Sequence, residues 1–313
     1  MMKYLILSPT KNEEKYIEKT LRSVCAQTIR PVRWIILDDD STDATPALIE
    51  PYRNQYPWIE LITLRNFRND LRTTGGRSGA LLNHARELIQ DEAVDFVVKI
   101  DSDVAFAPDF FERIFREFTR DPQLGLASGH LVQDGRPETI RDWEGVRGAT
   151  RIYRRACFDA IGSYYTIRGE DEIDTFLARL KGWRTRTLPV PFDHLKPEGV
   201  RHPSLVNHFE TGEFKGRIPY RFDFFLLTLL KNALARPYVL GSLVQLAAYI
   251  QSRWIRSERP FDAGLTSHVQ AMQQKKLKSL LPAIGKLLPG LIGRIGLEFE
   301  VEYTFLAEQF LQL

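Results

Sequence analysis

Short apolar runs alternate with amphipathic stretches through the first two thirds of the chain. Residues 4–7, 34–37, 61–64 and 96–100 are runs of four or five mostly apolar positions, several rich in β-branched residues and bounded by polar or charged ones. Such runs predict buried strands. Between them, Ile17, Leu21 and Val24 recur at i, i+4 and i+7, the spacing of one helix face. Thr45-Pro46 reads as an N-cap followed by proline at the first helical position. Gly75-Gly76 opens a third helix over 78–89, Pro108 a fourth over 109–118, and residues 124–131 return as a strand. The order βαβαβαβα plus a further strand predicts an α/β architecture with a mixed, mainly parallel sheet flanked by helices. Sheets of this kind place ligands outside the carboxyl ends of their strands.

The pattern changes after about Thr211. Apolar runs at 224–230 and 238–250 are interrupted by Lys231, Arg236 and Pro237, so neither reaches the ~20 residues of a spanning helix. From 213 to 259 there are eight Lys/Arg against three acids, Glu213, Asp223 and Glu258. The stretch 280–297 repeats the apolar theme, broken by Pro282, Pro289 and several glycines. The expected division is a catalytic domain over 1–212 and a helical C-terminal region over 213–313. A basic, apolar, helical tail suits peripheral contact with an anionic membrane surface, weakened by salt. The alternative is a helical subdomain that packs on the sheet or forms a dimer.

Composition narrows the class. With 43% hydrophobic and 27% charged residues among 313, the chain is globular, not disordered. A net charge of +3 does not call for nucleic acid. Cys25 and Cys157 give neither a disulfide framework nor a metal cluster, which fits a reducing cytoplasm. The apolar run at 4–7 is too short for a signal peptide.

The candidate chemistry clusters at strand ends. Asp101-Ser102-Asp103 closes the run at 96–100, and carboxylates at i and i+2 leave an extended strand on the same side. Two anions held together call for a hard divalent cation, Mn²⁺ or Mg²⁺, shared with phosphate oxygens of a substrate. The second strand ends in Asp38-Asp39-Asp40-Ser41-Thr42-Asp43. Acids before a helix suit its dipole, which accounts for one or two of the four. Asp38, Asp40 and Thr42 resemble the nucleophile motif of haloacid-dehalogenase-type phosphatases, displaced from the first strand to the second. An EF-hand-like spacing from Asp39 to Glu50 fails because Ala44 stands where glycine is required. The first strand–helix turn lacks Gly-x-Gly-x-x-Gly and the chain lacks a P-loop, which disfavours NAD, FAD and P-loop chemistry. Arg72 and Arg77, around a Gly-rich helix start, are the candidates for a diphosphate.

In their order along the chain, LILSPTKNEE (5–14), WIILDDDSTDAT (34–45), GGRSGALLN (75–83), KIDSD (99–103) and RGED (168–171) with the following ARLKGW (178–183) make the first 195 residues similar to glycosyltransferase family 2. The resemblance implies a GT-A fold and a metal-dependent, inverting transfer from a nucleotide sugar, a UDP- or GDP-sugar, to a saccharide or lipid-linked hydroxyl. It implies that Pro9, Thr10, Glu13 and Asp39 contact the nucleoside, Asp101 the ribose or metal, Asp103 the metal, and that Asp171 is the general base. Asp40 stands where the family usually has glycine, and the glycine after Arg179-Leu180 comes early. The Gln-x-x-Arg-Trp motif of processive synthases is absent, which argues for addition of a single sugar. His194, after the strand-like 185–190, is the candidate to complete the metal site, with His208 behind it. Arg147, Gly148 and Trp143 are candidates to line an acceptor site. The rival readings are a phosphatase with Asp38 as nucleophile and a sugar-nucleotide-binding protein without turnover.

Overall fold

The computed structural model describes residues 2–67, 74–140, 145–167, 169–196, 205–233, 239–255 and 261–294. Arg72, Trp143 and the side chains of 280–297 lie outside the described residues. The chain divides into two units, Met1–Glu198 and Gly199–Leu313. The expected boundary after Gly212 falls inside a helix, Leu205–Arg217, that packs along a later helix of the second unit; the structural division therefore comes earlier.

The first unit is built on one sheet. Its strands are β1 (Tyr4–Thr10), β2 (Arg33–Asp38), β3 (Ile59–Thr63), β4 (Phe96–Ile100), β5 (Val104–Phe106), β6 (Leu124–Gln133), β7 (Arg136–Pro137), β8 (Thr150–Arg154) and β9 (Arg184–His194). The helices are α1 (Ile17–Cys25), α2 (Thr45–Gln55), α3 (Thr74–Leu88), α4 (Phe110–Arg120), α5 (Arg155–Ile161) and α6 (Glu170–Leu180). The order is β3-β2-β1-β4-β8-β6-β9-β5, with β7 on β6. The half from β3 to β4 is parallel, as the alternation of strand and helix requires. Beyond β4 the sheet is mixed: β8 runs antiparallel to β4 and β6, while β9 runs parallel to β6 and antiparallel to β5.

The four buried strands β1, β2, β4 and β8 carry apolar side chains on both faces, consistent with helices covering each side. Helix α4 shows why the sequence folds as it does. Phe110, Phe111, Ile114, Phe115 and Phe118 form one buried stripe, with Glu112, Arg116 and Arg120 bonded to one another or to neighbours on the wet side. The phenylalanine rings pack on Tyr4, Phe96, Phe106 and Phe192 from four strands. This places the strand ends of β1, β4 and β9 on one rigid core.

One buried polar network fixes α6. Arg151 on β8 donates to Tyr153 Oη at 2.9 Å, to Thr175 Oγ1 at 2.7 Å and to Asp174. Tyr153 also donates to Asp174. Burial pushes the Asp174 carboxyl up to about 6 while Arg151 pulls the other way. Breaking such a pair leaves one charge buried and alone, at a cost of about 3–5 kcal/mol. Asp174→Ala should therefore lower stability by about that amount in urea unfolding. An unchanged unfolding midpoint would mean the network does not anchor α6.

The second unit is helical: α7 (Leu205–Arg217), α8 (Phe222–Ala233), α9 (Val239–Ile250), a π-helical turn (Gln251–Ile255) and α10 (Ala263–Arg294). Among the described residues no helix is long and apolar enough to cross a membrane.

Candidate active site

The carboxyl ends of β1, β2 and β4 bring the predicted residues to one edge. Thr10 and Asp38 are register partners across β1 and β2, and Asp101 follows directly on β4. Thr10 Oγ1 bonds Ser102 Oγ, and Thr20 on α1 donates to the Ser102 carbonyl at 2.9 Å. The residue between the two aspartates is thus a fastening, which fixes where Asp101 and Asp103 point.

Asp103 is buried at 6% exposure. Its Oδ1 has no hydrogen-bond partner, and His194 Nε2 stands 3.7 Å from it. His194 arrives because β5 and β9 pair antiparallel, setting Val104 opposite His194, and because Leu195 N donates to the Asp103 carbonyl at 2.7 Å. His194 Nδ1 donates to the Lys196 carbonyl at 2.6 Å, which in the neutral ring leaves Nε2 as a bare lone pair facing the carboxylate. One ligand atom each from Asp101, Asp103 and His194 lie within 4.8 Å of one another. Lone pairs converging without a proton between them fit a divalent cation, with the ring orientation set by its second hydrogen bond. Burial first, then the Asp101 charge, pushes the Asp103 carboxyl up to about 6.

Lys99 sits behind this cluster. Its ammonium donates to Asp101 and, at 2.7 Å, to the Gly148 carbonyl. Burial alone would lower its pKa, but Asp101, then Glu170 and Asp171, outweigh burial and hold it charged. Gly148 also abuts Asp171: a Cβ there would lie 2.5 Å from Asp171 Oδ2. Asp171 and the Asp101 carboxylate therefore flank one lysine–glycine contact. Burial, then the Asp171 charge, pushes Glu170 up to about 8. Asp174, on the same helix, points away into the Arg151 network.

The nucleoside candidates sit on the same edge. Asp39, 3% exposed, accepts from Arg77 Nε at 2.7 Å and from a second guanidinium nitrogen, and its carbonyl accepts from Lys11 Nζ at 2.7 Å. Arg77, expected on a diphosphate, is thus placed as the clamp on Asp39. Glu13 accepts from Lys196 Nζ at 2.8 Å, and its Oε2 is buried without a partner. Pro9 lies in β1 with its carbonyl 3.4 Å from Ser102 Oγ. Arg147 lines a cleft of about 580 Å³ with Glu138, Ile140, Val146 and Thr187. His208 lies in the second unit against Gly241, not in the cluster. Arg151, Lys99 and Lys196 are the residues that sequence reasoning missed; the local signal for the first was an arginine between Thr150 and Ile152 in a strand buried at both.

The sequence model for glycosyl transferase family 2 matches residues 5–168. The chain belongs to glycosyltransferase family 2. The β-monoglucosyldiacylglycerol synthase of Synechocystis is 27% identical over 221 residues, 62% of this chain and 43% of the relative. The first curated relatives are spanned over only 43% to 62% of their own length. The mannosyltransferase PcManGT of Pyrobaculum calidifontis, solved with GDP-Man and Mn²⁺, superposes at a TM-score of 0.54 with 18% identity, covering 99% of this chain and 84% of that one. Staphylococcus aureus TarS 1–349, solved with UDP-GlcNAc, gives 0.55 with 20% identity, over 80% and 81%. The fold of this family member is GT-A, and the expected architecture holds. The phosphatase reading is corrected: Asp38 is fully buried at a GT-A strand end, where its Oδ1 accepts from Ser41 N at 3.2 Å.

The cluster makes a prediction about stability. The Asp103 carboxyl ionises at about 6 in the folded chain against an ordinary 3.8, so the folded state holds that proton more tightly. The stability this contributes is present below the ordinary value and is lost as pH rises through about 6. Metal-free Asp103→Asn should melt at or above the parent at pH 7, with that pH dependence flattened. Mn²⁺ should raise the melting temperature of the parent and not of the variant. Equal Mn²⁺ shifts in both would remove Asp103 from the cation site.

Proposed function

We propose that this chain moves a sugar from a UDP- or GDP-sugar to a hydroxyl of a lipid-linked or saccharide acceptor, with inversion and with dependence on a divalent cation. The observation that carries the reading is the meeting of Asp101, Asp103 and His194 at one strand end, with Asp171 across the Lys99–Gly148 contact. Relatives add support: the PcManGT complex holds GDP-Man and Mn²⁺, the TarS complex UDP-GlcNAc, and a curated relative is named for a glucosyl lipid.

Asp101, Asp103 and His194 would hold the cation, and a nitrogen ligand among oxygens favours Mn²⁺ over Mg²⁺. When bound, the ion supplies positive charge where the diphosphate leaves. Thr10, Glu13 and Asp39 contact the nucleoside, with Arg77 and Lys11 orienting Asp39. The acceptor lies toward Arg147 and the cleft beside it. Asp171 takes the hydroxyl proton as the acceptor oxygen bonds to the anomeric carbon and the bond to the diphosphate breaks on the opposite face. One displacement of this kind inverts the centre. Glu170, pushed up to about 8 by burial, is neutral at pH 7 and a poor proton acceptor, which leaves Asp171 to do it. Cys25 and Cys157 are both free thiols, in keeping with work at the cytoplasmic face of a membrane.

Transfer assays with UDP- and GDP-sugars and Mn²⁺ test the reading. Asp171→Asn should reduce transfer by about 10²–10⁴-fold while calorimetry shows donor and Mn²⁺ binding unchanged. Glu170→Gln should keep most of the activity. Loss in Glu170→Gln with retention in Asp171→Asn would reverse the assignment. Donor binding without turnover on any acceptor class would make the chain a binding protein.

A further inference from the structure

The second unit breaks the rule that α4 obeys. Helix α9 contains no charged residue, and its buried face consists of Gly241, Ser242, Gln245, Ala248 and Tyr249. Its exposed face is Val239, Leu240, Leu243 and Ile250, continued by Trp254 in the π-helical turn. Apart from Tyr249, which stacks on Phe225 of α8, the inward residues are small or polar while large aliphatic groups face outward, a pattern unlike that of a helix packed only against a water-solvated core.

The contacts inside the unit fit the same reversal. Gly212 and Gly216, four apart on α7, let it approach α9 closely: a Cβ would come within 2.1 Å of the Gln245 carbonyl and 2.0 Å of Ser252 Oγ. Hydrogen bonds supply the rest. Ser252 Oγ donates to the Glu213 carbonyl at 2.8 Å, Ser242 Oγ to the Leu229 carbonyl at 2.9 Å, and Asn232 to Gln245 at 2.9 Å. Small residues and interhelical hydrogen bonds are how helices associate where the surroundings are themselves apolar. On α8, Phe222, Leu226 and Leu230 form a second exposed stripe at i, i+4 and i+8. The Phe222 and Trp254 rings lie 6.1 Å apart, which joins the stripe of α8 to that of α9.

We propose that the outer face of α8 and α9 is seated in one leaflet of an anionic bilayer, held by apolar insertion and not by charge alone. Each helix has 12 residues, about 18 Å at 1.5 Å per residue, short of the ~30 Å hydrocarbon core. The hairpin enters the interface without crossing. Charge selects the occupant: α10 carries exposed Lys275, Lys276 and Lys278 and has no acidic residue from Ala263 to Arg294. A basic helix in the same unit attracts anionic headgroups. The proposal does not rest on the catalytic reading, and loss of transfer activity leaves it untouched.

Flotation of the full chain with phosphatidylcholine vesicles containing phosphatidylglycerol tests it. Binding should persist in about 1 M salt, where the screening length falls to about 3 Å. The double variant Leu226→Glu/Leu243→Glu should lose about tenfold or more in vesicle affinity with an unchanged melting temperature, because both positions are exposed. Brominated lipids should quench the parent's fluorescence more than that of Trp254→Phe, a reading that needs no folded charge variant. Flotation abolished by salt, a double variant that floats like the parent, or equal quenching of both proteins would each overturn the proposal. So would a parent that never floats but sediments as a dimer, with the double variant a monomer.

Discussion

Anions crowded at one edge set the terms for the first unit. The carboxyl ends of three strands and the start of α6 gather Asp38, Asp39, Asp101, Asp103, Glu170 and Asp171. Desolvated like charges repel strongly, and a fold that keeps them must answer each one. The answers are visible: Arg77 and Lys11 on Asp39, Lys99 on Asp101, Lys196 on Glu13, and Arg151 on Asp174 just inside. Glu170 is answered by staying protonated. Asp103 has no such settlement, with a bare oxygen and a histidine too far away for a hydrogen bond. Glu13 Oε2 and Asp38 Oδ2 on the same edge are likewise buried without a partner, so the unsettled oxygens gather where the proposed ligand would sit.

The same view explains the lysine that spans the site. Lys99 lies on a central strand, 8% exposed, in a position that apolar neighbours would fill more cheaply. It touches Asp101 and the Gly148 carbonyl, and the charges of Asp101 and Asp171 help to keep it charged. One ammonium is therefore shared between Asp101 and the carboxylate of Asp171 at the α6 start. The Arg151–Asp174 network does mechanical work for the same end, pinning the helix whose first turn carries Asp171.

What the sequence showed clearly was what local pattern encodes. Strand runs, the face of α1 and the extent of α4 appeared at nearly their observed places, because strands and helices announce themselves within ten residues. Strand ends with Asp101-Ser102-Asp103 and Asp38–Asp39 were legible for the same reason. Partnerships across the fold were not. Arg77 was readable as a diphosphate candidate beside glycines, but its bond to Asp39, 38 residues away, is written in no local pattern. Nothing local marks Asp174, and only its contact across to Arg151 on β8 shows it as a buried anchor. His194 was readable as a candidate because its strand was; that it faces Asp103 depends on the β5–β9 register, which no periodicity states.

The two units also answer to different solvents, and their helices record it. On α4, five large apolar residues are buried and the charges are outside, which is what water selects. On α9, glycine, serine, glutamine, alanine and one tyrosine are inside while valine, leucines and isoleucine are outside. Sequence composition alone reads both as mixtures of apolar and polar positions; only burial tells them apart. In water the face of α8 and α9 gains nothing by its leucines, and such surfaces invite aggregation unless something covers them. In lipid the same leucines cost nothing, and a close glycine contact such as that of Gly212 and Gly216 with α9 and the turn after it is a natural way to hold the helices together. The arrangement is coherent under one solvent and wasteful under the other, and that asymmetry is what supports the proposed seat in a bilayer.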